Sequence, residues 1–129
     1  MNFKPPIWWR FSAILAGMVL LFWLSIEDQS ELPALLMSTL VAVLVAILYM
    51  VVGRRYTSLS VRAYLLVGMI AGLAVPLVAL ALMTLKIGIH GHGVPDYSVQ
   101  QYIHVVYTIP GWILGGALIA GGAALYQRS

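Results

Sequence analysis

The side chains with the widest chemical reach in this chain are three histidines, and all three fall in or just after one stretch, His90-Gly91-His92-Gly93-Val94-Pro95-Asp96, with His104 following. Imidazoles at alternate positions, a carboxylate four residues on and a third imidazole further along offer the nitrogen and oxygen donors that hold zinc or copper. His90, His92, Asp96 and His104 are therefore the candidate metal ligands, and Gly88, Gly91 and Gly93 let the backbone between them bend. Such a site would weaken in acid, because only neutral imidazole coordinates. The spacing matches no established ligand motif, and the simpler reading is a solvated turn in which Gly, Pro and Asp do ordinary loop work. His104 stands apart from the other two. It shares a helical face with Gln101, Thr108, Gly111 and Gly115, which points its ring at a protein contact. That contact is either an interhelical hydrogen bond or, as a cofactor site, an axial bond to haem or chlorophyll.

Other chemistry is missing. The chain has no cysteine, which removes disulfides, thiolate metal sites, covalently attached c-type haem and cysteine nucleophiles together. Hydrolysis needs a nucleophile with a base and an orienting acid. Ser98 beside a loop histidine and Asp96 is the one such grouping, and Ser98 has a better use as a helix cap. Nothing else assembles an acid, base or nucleophile, so the sequence reads as non-enzymatic.

The elements that must position these groups are set by composition. Of 129 residues, 62% are hydrophobic and 9% charged, against about 25% charged in a soluble domain. Four runs carry no Asp, Glu, Lys or Arg: Phe11 to Ile26, Leu32 to Gly53, Ala63 to Leu85, and Val105 to Tyr126. About 20 apolar residues cross a bilayer, so the chain reads as an all-α, polytopic membrane protein with four transmembrane helices in a bundle and one domain. The expected helices cover residues 7–26, 32–53, 60–87 and 98–126. The first is short unless Ile7, Trp8 and Trp9 extend it, with Arg10 snorkelling to the head groups. No small-residue cleavage site follows it, so it reads as a retained helix and not a secretory signal.

Charge then sorts by side. Lys4, Arg10, Arg54, Arg55, Arg62 and Arg128, six of the seven basic residues, fall on one face, and all four acids, Glu27, Asp28, Glu31 and Asp96, fall on the other. The positive-inside rule makes the basic face cytoplasmic, with both termini on it, in a plasma (inner) or thylakoid-type membrane. The basic residues are accounted for by orientation, and nucleic acid is not an expected partner. Proton-coupled carriers keep an ionisable group in mid-membrane, and the four runs contain no carboxylate, lysine or arginine.

Local signals refine the ends and the packing. Pro33 suits the first turn of the second helix, and Ser98 with Gln101 forms a capping-box pattern. Pro76 and Pro110 should kink the third and fourth helices. Lipid is as apolar as leucine, so close backbone approach through small residues drives helix association. Ala34, Ser38, Ala42 and Ala46 draw such a stripe on the second helix; Gly68 and Gly72 do so on the third, Gly111 and Gly115 on the fourth, with Gly116, Ala120 and Ala124 on an adjoining face. More faces of this kind than one small bundle needs suggest other membrane subunits as partners. The expected role is an accessory or structural subunit of a respiratory, photosynthetic or transport complex. The competing expectation is a small transporter or metal-binding protein that uses the histidine loop.

Overall fold

A computed structural model describes residues 4–25, 30–56, 60–91 and 97–128. The helices are α1 (Ile7–Ser25), α2 (Glu31–Tyr56), α3 (Val61–His90), α4 (Val99–Tyr107) and α5 (Ile109–Arg128), and the last two together make the fourth crossing. All four crossings are long and apolar enough to span a bilayer, and no strand occurs among the described residues. The protein is an all-α, multi-pass membrane protein.

Helix ends follow their caps more than their charges. Ser60 opens α3 by accepting the Ala63 N–H. At the other end α3 continues past Lys86 to His90, where Gly91 takes a left-handed conformation (φ 62°) and donates its N–H to the Ile87 carbonyl. The expected end at residue 87 is therefore one turn early. The capping box at α4 is formed in both directions: Ser98 Oγ accepts from Gln101 N at 3.3 Å, and Gln101 Oε1 accepts from Ser98 N at 2.8 Å. Pro76 is accommodated within an unbroken α3. Pro110 does more than kink its helix, because α4 stops at Tyr107 and α5 restarts at Ile109. With no N–H at Pro110, the ladder is rebuilt around Thr108, whose N–H reaches Val105 and whose hydroxyl donates to the same carbonyl at 2.6 Å.

The helices pack as a row around α3, which has its most extensive interface with α5 and the next with α2, while α1 leans on α2. Glycine sets the first interface. A Cβ at Gly68 would overlap the Gly116 carbonyl and the Ala120 Cβ, and one at Gly72 would overlap the Trp112 carbonyl, so backbone touches backbone there. On α2 the stripe Ala34, Ser38 and Ala42 is buried, and Ser38 Oγ donates to the Val75 carbonyl of α3. Ala46 at the end of that stripe is only half-buried. The small residues of the fourth crossing divide: Gly116 and Ala120 face α3, while Gly111 and Gly115 have open space where a side chain would be.

Candidate functional site

Polar side chains gather at the end of the bundle where Glu31 lies, called here the acidic end. Glu31 is the first residue of α2, where the unpaired N–H groups of a helix start favour a carboxylate. Its two oxygens are both used across the bundle. Oε1 accepts from His104 Nδ1 at 3.0 Å, and Oε2 accepts from Gln101 Nε2 at 3.0 Å. Since Gln101 is also held by the Ser98 cap, the carboxylate is tied into the start of α4 through two helix-terminal devices. Nδ1 donates, so the lone pair of neutral His104 is on Nε2, and the side chain is 65% exposed.

The other described histidine turns the opposite way. His90 donates from Nε2 to the Leu24 carbonyl at 3.1 Å, satisfying one of the orphan acceptors at the end of α1. His90 and His104 are thus engaged on different helices, α1 and α2. His92 and Asp96 lie outside the described residues, and no group of three His, Asp or Glu side chains placed to share a metal occurs among those described. Thr84 and Tyr102 complete the layer with a hydroxyl–hydroxyl contact of 3.1 Å between α3 and α4.

One residue of this layer was not singled out by the sequence. Lys86 is fully buried, with its ammonium nitrogen 4.2 Å from the centroid of the Trp23 ring. A cation over an indole face is attracted by the ring's negative quadrupole, and more strongly where water is absent. Lys86 closes the third apolar run after Leu85, yet it lies inside α3 and is the seventh basic residue, away from the other six. The signal available was its spacing: Lys86 falls three, four and seven residues after Met83, Leu82 and Ala79, all buried, which puts it on the core face of α3.

The second feature is apolar. Because α2 and α5 both pack chiefly on α3, a cleft of about 330 Å³ remains between them. Its walls include Ala42 and Ala46 from α2 and Gly115, Ile119 and Ala123 from α5, and its floor is α3 around Ala71. It runs from Thr39 to Met50 on α2, about 16 Å at the rise of a helix. Ala42, Ala46, Gly68, Gly72 and Gly115, all expected to serve helix packing, line this cleft, while Gly111 does not. Comparison with protein families, with curated proteins and with solved structures finds no match to this chain.

Proposed function

We propose that the protein is a non-catalytic subunit of a larger membrane assembly, seating a transmembrane helix of another chain in the cleft between α2 and α5. The observation that carries this reading is the cleft itself. It is open along one side, about three helical turns long, and carries Ala and Gly, the residues that let two backbones approach, among larger apolar side chains such as Ile47, Met50 and Ile119. A helix laid along it would insert one ridge of side chains, as helices do in grooves. The test is purification in mild detergent of the native protein and of Gly115→Phe, which fills the cleft from α5, with Leu118→Phe on the exposed face as control. Stoichiometric comigration with another subunit that is lost only in Gly115→Phe supports the proposal. A self-contained particle in all three, or comigration unaffected by filling the cleft, sinks it.

A second reading, a small ligand-binding protein, has one observation in its favour. Glu31 orients the His104 ring and leaves Nε2 exposed, as outer partners orient metal-bound imidazoles. One imidazole is a weak site for a bare ion but sufficient as an axial ligand to a metallo-tetrapyrrole. Titration with haemin distinguishes them: a shifted Soret band that disappears in His104→Ala favours the ligand reading, and identical spectra for both proteins dismiss it.

A further inference from the structure

Both walls of the cleft, followed toward the acidic end, lead to the same pair of charged groups. Along α2 the last lining residue is Thr39, and Glu31 lies eight residues beyond it, about 12 Å at the rise of a helix. Glu31, Leu35, Ala42 and Ala46 recur at steps of four and seven, so the carboxylate and this wall share one side of α2. Along α5 the last lining residue is Trp112, and His104 also lies eight residues beyond. The break between α4 and α5 keeps the helical register, because the Trp112 N–H reaches the Thr108 carbonyl at 3.1 Å across it. Gly111 stands on the way, with open space where a side chain would be. Two independent counts thus place the bond between His104 Nδ1 and Glu31 Oε1 two turns past the cleft.

What faces outward at that bond is chemically one-sided. Each Glu31 oxygen accepts one hydrogen bond inside the protein, and a carboxylate oxygen has a second lone pair to offer. With Nδ1 donating, Nε2 of the neutral ring is an acceptor too, and the His104 side chain is 65% exposed. The pair then carries one negative charge, and its complement is a cationic donor. Within this chain six of the seven basic residues belong to the other end, and Lys86 is buried over Trp23. The cleft, by contrast, asks for no polar group: its one hydroxyl, on Thr39, donates to the Leu35 carbonyl at 2.7 Å.

We infer that the helix seated in the cleft carries a lysine or arginine about eight residues past its apolar ridge, and that this cation docks on Glu31 and His104. This adds to the seat proposed above, on which it rests, the feature that selects the partner. A ridge alone fits many apolar helices at several heights. Charge complementarity at one end fixes the register and rejects helices that lack the cation.

The test uses full-length protein in phosphatidylcholine vesicles, labelled through Ser129→Cys, since the chain has no cysteine of its own. The probes are three synthetic transmembrane peptides carrying an energy-transfer acceptor. All have a leucine ridge of three turns. The first has a lysine eight residues beyond the ridge, the second has it moved two residues onto the opposite face, and the third has glutamine in its place. The first should bind about fivefold more tightly than the others. That preference should vanish in Glu31→Gln and shrink in His104→Ala, a substitution at an exposed ring, while Gly115→Phe should weaken all three peptides alike. Equal binding of the three peptides to wild type, blocked by Gly115→Phe, overturns the cation and leaves the seat standing. A lysine preference that survives both Glu31→Gln and His104→Ala also overturns it. Binding of no peptide, or binding indifferent to Gly115→Phe, removes the seat and the inference with it.

Discussion

A fully buried lysine must be compensated where it stands, and Lys86 does so in part on the face of Trp23. Trp23 joins the end of α1 to the core of α3, so replacing the ring removes both packing and a cation's partner. Trp23→Leu should lower stability by about 2 kcal/mol or more, and Trp23→Phe by less, since a smaller π face remains. Thermal unfolding in detergent measures both, and a Trp23→Leu variant as stable as wild type would show that the indole is incidental. Glu31 offers a second test of this scale. Its bond to His104 is partly open to solvent, 25% and 65% on the two sides, so the pair should couple by only about 0.5–1 kcal/mol in a Glu31→Ala/His104→Ala cycle. Zero coupling would mean that Gln101 alone holds the carboxylate.

Among the elements, the α3–α5 interface is the one that a single methyl group would disturb. Gly68→Leu or Gly116→Leu should force two backbones apart and dissociate α5 from α3, giving aggregated or degraded protein. Gly115→Leu should leave the fold intact, because its side chain would enter open space in the cleft. Size analysis after extraction separates these outcomes, and equal damage from Gly115→Leu and Gly116→Leu would refute the assigned face. The pattern of small residues alone could not decide this. Gly111 and Gly115 have the same four-residue spacing as Gly116 and Ala120, and periodicity gives faces without saying which neighbour a face meets. What was legible were features written locally in the chain: four apolar runs, the Ser98 and Gln101 cap, and the buried stripe of Ala34, Ser38 and Ala42. The Trp9 bond to Leu44 and the Lys86 contact with Trp23 join residues 35 and 63 positions apart, and no local rule foresees them.

For the molecule as a whole, an even number of crossings and the clustering of Arg54, Arg55 and Arg62 predict that both termini lie on one side and that this side is cytoplasmic. Single cysteines introduced at Gln29 and Ser129 test it in intact cells. An impermeant reagent should label the first and spare the second, and the reverse result would invert the orientation. The row-like arrangement also bears on how the protein is made. Its tightest interface joins α3 to α5, so Gly68 and Gly72 find Gly116 and Trp112 only after the chain has left the ribosome through α5. Until then α3 has only α2 and α1 beside it. Insertion of the first three helices therefore yields an intermediate with an exposed glycine face, and a chain ending before Trp112 should be recognised and removed by membrane proteases.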